Sequence, residues 1–207
     1  MEPFFIVISG TSGSGKTTLC KKLATLLGND SVCLSFDEYF AASEFNLIIW
    51  YTNGANPDEV KNAQLLEDLH SLRTGKNIKN ITTGETIKPS AYILLDEPFG
   101  RGRYKTENLI DFSVHLELPL EVSLARRILR HFDPSVSIDY QVKSANDYLT
   151  AYLKHNLRDF YVAVNAIALE DCDVSLDGMK STDELALEVV GLLSEIKGGK
   201  ENGHSLY

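Results

Sequence analysis

One stretch, Gly10-Thr11-Ser12-Gly13-Ser14-Gly15-Lys16-Thr17-Thr18, constrains what this chain can fold into more than any other. Gly10, Gly15, Lys16 and Thr17 fit the pattern G-x-x-x-x-G-K-[ST], and the flanks are those the pattern requires. Phe4 to Ile8 is a short apolar run with β-branched residues, which predicts a buried strand. Leu19, Leu23, Leu26 and Leu27 then recur at helical spacing. Between strand and helix, glycines allow a tight turn whose N–H groups face an anion, and the helix N-terminus adds partial positive charge. Residues 10–18 are therefore expected to cradle the phosphates of a nucleotide. Lys16 is placed to reach the β- and γ-phosphates, and Thr17 to offer its hydroxyl to Mg²⁺.

Further along, Ser31 to Ser35 reads as a second strand that ends in Phe36-Asp37-Glu38-Tyr39-Phe40. Ligands of open α/β sheets bind at the C-terminal strand ends, so Asp37 is a candidate catalytic carboxylate. The segment with Phe45, Ile48, Ile49, Trp50 and Tyr51 reads as core, with stacking on a planar ligand as the alternative. Asn56 reads as the cap of a helix with Pro57 at its first position and Val60, Leu65, Leu66, Leu69 and Leu72 on its apolar face. Residues 76–90 are polar and suit a small hairpin.

Ala91 to Leu95 predicts another buried strand, closing in Asp96-Glu97. A carboxylate in that place holds Mg²⁺ directly or through water, and the spacing leaves open which of the two does so. Gly100 to Lys105 reads as a basic, solvated loop. Phe112 to Leu118 is a further strand, and a helix from Pro119 to His131 carries Arg126, Arg127 and Arg130. Arg127 and Arg130 are three apart and are expected on one face as a phosphate clamp. Residues 126–140 then form a lid region, and Gln141 to about Ala168 reads as one long helix. Asp173 to Leu176 is a last strand. Ser181 to Glu184 is a capping box before a final amphipathic helix, and 198–207 reads as a flexible tail.

The strand–helix alternation predicts a three-layer α/β/α fold with a mainly parallel sheet of about five strands, formed by one domain over residues 1–197. The chain has 207 residues and a net charge of −9. An acidic surface argues against nucleic acid or an anionic membrane as partner. No apolar run reaches the ~18 residues of a spanning helix, and no basic leader precedes the first strand. Cys20, Cys33 and Cys172 form no metal-binding or disulfide pattern, which suits a reducing cytoplasm.

The order of these features resembles the uridine kinase and phosphoribulokinase group of P-loop small-molecule kinases. Gly10 to Thr18, Leu34 to Phe40, Leu65 to Leu69 with Gly75-Lys76, Asp96-Glu97, and Leu124 to Arg130 carry the resemblance, over most of residues 4–195. It implies a P-loop nucleoside triphosphate hydrolase fold with a lid, ATP and Mg²⁺ as cofactors, and a small-molecule hydroxyl as phosphate acceptor. It further implies Asp37 as base and Glu97 near Mg²⁺, with Thr17 and Asp37 completing the metal site. Arg127 and Arg130 are implied to contact phosphates or substrate. Uridine kinases also carry a His-Ser-Arg stretch in the small hairpin, whereas residues 76–90 hold no His and no Arg. Val174 to Ser181 is similar to the C-terminal part of nicotinamide riboside kinases, which keeps that second acceptor open. A non-catalytic nucleotide-binding module is the remaining alternative. A homo-oligomer and the choice of ATP or GTP as donor are also left open.

Overall fold

The computed structural model describes residues 2–40, 47–60, 62–103, 106 and 108–202, with the side chains of 47, 48 and 198–202 left aside. Five parallel strands form the central sheet, in the order β2-β5-β1-β6-β7. They are β1 (Phe4–Gly10), β2 (Ser31–Ser35), β5 (Tyr92–Asp96), β6 (Phe112–Glu117) and β7 (Val174–Asp177). Two short strands, β3 (Ile78–Lys79) and β4 (Thr86–Ile87), make a separate antiparallel pair within the stretch expected to be a hairpin.

Alternate residues of each central strand enter two different cores, which is what burial on both faces of a parallel sheet demands. Phe5, Val7, Ile93 and Leu95 pack on one face with Leu65, Leu69 and Leu72 of α4 (Ala63–Arg73) and Val164 of α7 (Leu157–Glu170). Ile6, Ile8, Leu94 and Leu116 pack on the other with Leu19 and Leu23 of α1 (Lys16–Leu27) and Leu185, Val189 and Leu193 of α8 (Thr182–Asn202). The three-layer architecture is as the alternation of elements predicts.

Between these lie α2 (Phe36–Phe40), α3 (Leu47–Thr52), α5 (Leu120–Leu129) and α6 (Ile138–Lys154). No helix of the described residues is long and apolar enough to cross a membrane. Trp50 of α3 is 2% exposed and meets the rings of Phe99 and Phe160 edge-on, so the aromatic segment supplies core. Phe45 lies outside the described residues.

Three expectations are corrected. Asn56 caps only a 3-10 turn, Pro57–Glu59, and the helix proper starts after Asn62, whose side chain accepts from the Leu65 N–H at 3.1 Å. The stretch read as one helix from Gln141 is two, α6 and α7, because Asn156 adopts a left-handed backbone (φ 58°) that interrupts the ladder. Asparagine tolerates that conformation, and the uninterrupted apolar spacing concealed it. Lastly, α8 continues to Asn202, into the stretch expected to be tail.

His115 of β6 is fully buried between Ser9 Oγ (3.0 Å from Nδ1) and Asn165 Oδ1 (3.1 Å from Nε2). Burial holds its pKa below the ordinary value, against the opposing bond to Asn165. The unfolded chain takes up a proton near pH ~6.5, whereas the folded chain takes it only at lower pH. This group's stabilisation is therefore present above about pH 6.5 and is lost as pH falls below it. We expect the melting temperature of His115→Gln to fall less than that of the unchanged protein between pH 7.5 and 5.5, as read by calorimetry.

Candidate active site

The strand register brings the candidate groups to one sheet edge. Asp96 at the end of β5 pairs with Ile8 of β1 on one side and Ser35 of β2 on the other. The loop leaving β1, the helix leaving β2 and the acidic end of β5 therefore meet. Gly15 stands before α1 with φ 102°, a conformation L side chains rarely adopt. The turn is closed by the Ser14 N–H donating to the Thr11 carbonyl at 3.0 Å. Lys16 Nζ donates to the same carbonyl at 3.3 Å, which folds its side chain back over the loop. The hydroxyls of Thr11 and Ser14 are buried and have no partner among the described residues.

α5 clamps this loop from outside. Ser123 Oγ donates to the Ser12 carbonyl at 2.5 Å, and Arg126 Nη1 donates to the Gly13 carbonyl at 3.4 Å. The contact explains Gly13: a Cβ there would lie 2.9 Å from the Ser123 carbonyl oxygen.

The structure distinguishes the two carboxylates at the end of β5. The Thr17 hydroxyl donates to Asp96 Oδ2. Burial raises the Asp96 pKa, and Lys16 and the Thr17 bond pull it back. Glu97 points away. It is fully buried, with Oε2 2.5 Å from Arg103 Nη2 and Oε1 accepting from the Phe99 N–H at 3.2 Å. Burial pushes the Glu97 carboxyl up to about 7 while Arg103 opposes it. Of the two carboxylates left open at this strand end, Asp96 is the one beside Thr17, and Glu97 is turned to Arg103.

Arg103 is itself a correction to the solvated-loop reading. It is 4% exposed, donates to the Val60 carbonyl at 3.1 Å, and lies over the rings of Phe36 and Phe99. Arg101 in the same loop is tied to Asp173 at 2.6 Å. Lys105 lies outside the described residues.

Two cavities flank the loop. One, of 210 Å³, is lined by Gly10, Thr11, Ser12, Lys16, Asp37 and Arg127, with Phe40, Phe160 and Tyr161 among its aromatic walls. Asp37 is exposed in the first turn of α2. The other cavity, of 540 Å³, lies across the loop and is lined by Gly13 to Gly15, Thr18, Arg126, Arg130 and the turn Gly178 to Thr182. The single-face clamp is therefore split. Arg127 faces the first cavity and Arg130 the second, because the loop packs along α5 at Ser123 and Arg127 and parts the residues to either side. Among the described residues Arg127 makes no ion pair, and its guanidinium lies 5.2 Å from the Tyr148 ring centre.

Asp68 and Tyr161 escaped the sequence reading. Asp68 is buried and accepts from the Tyr39 hydroxyl at 2.8 Å, which ties α2 to α4. An acidic residue inside an otherwise apolar helical face was the available signal.

A glycine loop between β1 and α1, with a threonine–aspartate pair at the neighbouring strand end, defines a P-loop nucleotide-binding protein. The chain belongs to the AAA domain family, whose model matches residues 6–146. It is 29% identical to a uridine kinase of Brevibacillus brevis over 165 residues, covering 73% of this chain and 74% of that one. It is 28% identical to a uridine kinase of Macrococcus caseolyticus over 141 residues, covering 62% of this chain and 68% of that one. The fold is also that of the shikimate kinase of Aquifex aeolicus, at a TM-score of 0.51 and 16% identity, covering 92% of this chain and 96% of the other. The chain is thus a kinase of small molecules in its general class.

Proposed function

We propose that this protein moves the γ-phosphoryl group of Mg·ATP onto a hydroxyl of a small acceptor, with a uridine- or cytidine-like nucleoside favoured. The observation that carries the reading is the 210 Å³ cavity, into which Lys16, Asp37 and Arg127 converge beside the glycine loop. The curated relatives named uridine kinase favour the nucleoside. The hairpin favours a second reading, nicotinamide riboside or another small metabolite. Asn80 on its turn reaches Glu38 at 3.5 Å, and no described residue of β3 or β4 lines the cavity.

In this reading the donor lies along residues 10–18, with its base toward the 540 Å³ cavity between Arg130 and the Gly178–Thr182 turn. The unpartnered hydroxyls of Thr11 and Ser14 gain partners when phosphate oxygens arrive. Thr17 Oγ1 and the Asp96 carboxylate, two hard oxygens already in contact, fit Mg²⁺ and would hold it with Asp37 nearby. Bound there, Mg²⁺ would supply positive charge to offset that of the phosphates during transfer. Lys16 and Arg127 stabilise the equatorial oxygens of the transferring group. Arg130, on the far side of the loop, acts on the donor instead. Asp37 accepts the proton of the acceptor hydroxyl.

The test is phosphotransfer from Mg·ATP to uridine, cytidine and nicotinamide riboside. Asp37→Asn is expected to lower kcat by about 10²–10⁴-fold, the usual worth of a general base, with KM for ATP little changed. An unchanged kcat removes Asp37 from the chemistry. Absence of transfer to every acceptor overturns the reading in favour of a non-catalytic nucleotide-binding module.

A further inference from the structure

Tyr161 lines the same cavity as Lys16 and Asp37, yet nothing in the glycine-loop pattern points to it. It projects from α7, and its ring is held by Phe160 at 5.5 Å and Tyr152 at 6.4 Å between centroids. The Tyr148 hydroxyl, from α6, donates to its hydroxyl oxygen at 3.0 Å. Ser12, at the centre of the glycine loop, and the Arg127 charge also act on the phenol. A phenol has one proton to give. With Tyr148 supplying the hydrogen in their mutual bond, the proton of Tyr161 remains free for Ser12 or for a ligand in the cavity. Burial pushes the phenol's pKa above its ordinary value, and a phenol is a neutral donor at neutral pH.

Tyr148 has a second task. Its ring lies 5.2 Å from the Arg127 guanidinium carbon, and 5.3 Å from the ring of His131, which Ser144 fixes at 2.7 Å. One side chain of α6 thus contacts both the hydroxyl of Tyr161 and the guanidinium of Arg127, two residues that line one cavity.

We propose that Tyr161 is an acceptor-binding residue, its hydroxyl donating to an oxygen of the acceptor beside the one that reacts, and that Tyr148 is the positioning residue that aims it. This rests on the phosphotransfer reading above and deepens it. The acceptor class it selects is polyoxygenated, a sugar or sugar-bearing molecule with a second oxygen within reach of the reacting hydroxyl. An acceptor with one isolated hydroxyl leaves the half-buried phenol without its partner, and a site built for a hydrogen bond discriminates against such a ligand.

The experiment is steady-state kinetics of the full chain with Mg·ATP and uridine, cytidine or nicotinamide riboside, alongside the melting temperature of each variant. Tyr161→Phe removes only the hydroxyl. It is expected to raise KM for the acceptor about tenfold, the worth of one well-placed hydrogen bond, with KM for ATP and the melting temperature unchanged. Tyr148→Phe keeps a ring under Arg127 but not the donor. It is expected to move the acceptor KM in the same direction by about threefold, with kcat retained. The proposal is overturned if Tyr161→Phe leaves the acceptor KM within about twofold of the unchanged protein. It is equally overturned if KM for ATP rises with it, or if the loss tracks a fallen melting temperature. If the unchanged protein turns over none of the three acceptors, the phosphotransfer reading fails and this proposal with it. Turnover that is indifferent to Tyr161→Phe removes this proposal alone.

Discussion

Replacing Lys16 with alanine is expected to lower kcat for phosphotransfer by about a thousandfold or more while the fold is kept. The side chain folds over the loop onto the Thr11 carbonyl at 3.3 Å, and its loss is expected to cost little stability. Its charge has no substitute at the same place. Arg127 lines the same cavity from α5, and Arg126 and Arg130 lie across the loop. Phosphoryl transfer depends on positioning and on charge placed where it develops, and removal of even one preorganised donor costs about 10²–10³-fold. A cation at the β- and γ-phosphates is worth at least as much. Single-turnover kinetics with Mg·ATP, beside a melting curve, checks both halves of the expectation. A variant within about tenfold of the unchanged protein would show that Lys16 lies outside the transition state.

Arg103→Ala is expected to be the most destabilising single change, by about 3–5 kcal/mol. The substitution leaves Glu97 fully buried without its counter-charge, and it removes the guanidinium from over Phe36 and Phe99 and from the Val60 carbonyl. Replacing both partners, as in Glu97→Gln with Arg103→Met, is expected to cost clearly less, since no uncompensated charge remains. Urea denaturation of the two single variants and the double variant measures the coupling. Additive losses would show that the pair is not coupled. Phe36 begins α2 immediately before Asp37, so Arg103→Ala is also expected to lower activity in the fraction that stays folded.

These two residues mark the boundary of what the sequence carries. Lys16 was legible because a phosphate loop is local. Strand, glycine turn, lysine and helix are contiguous, each glycine is required by the turn it makes, and the backbone itself supplies the donors. The parallel sheet was legible for a related reason, since alternating apolar runs and helical spacings admit few topologies. The residues near Asp37 and Asp96 followed from the rule that ligands sit at C-terminal strand ends.

What the chain order could not supply is the direction of side chains whose partners are distant. Asp96 and Glu97 are adjacent and chemically alike. The strand pleat sends one toward Thr17 and the other toward Arg103, and only the position of the 98–103 loop decides which is which. Arg127 and Arg130 share a helical spacing, and the glycine loop lying against α5 at Gly13 separates them into different cavities. Asn156 breaks a helix whose apolar pattern runs on without interruption, and that break sets Tyr161 on α7 opposite Tyr148 on α6. The sequence by itself determined that a phosphate binds at residues 10–18 on a parallel sheet, because that site is built from consecutive backbone. Tertiary structure alone decided which carboxylate meets Thr17, which arginine faces the small cavity, and that a tyrosine from a distant helix joins them. Those positions follow from packing between elements that are not contiguous in the chain.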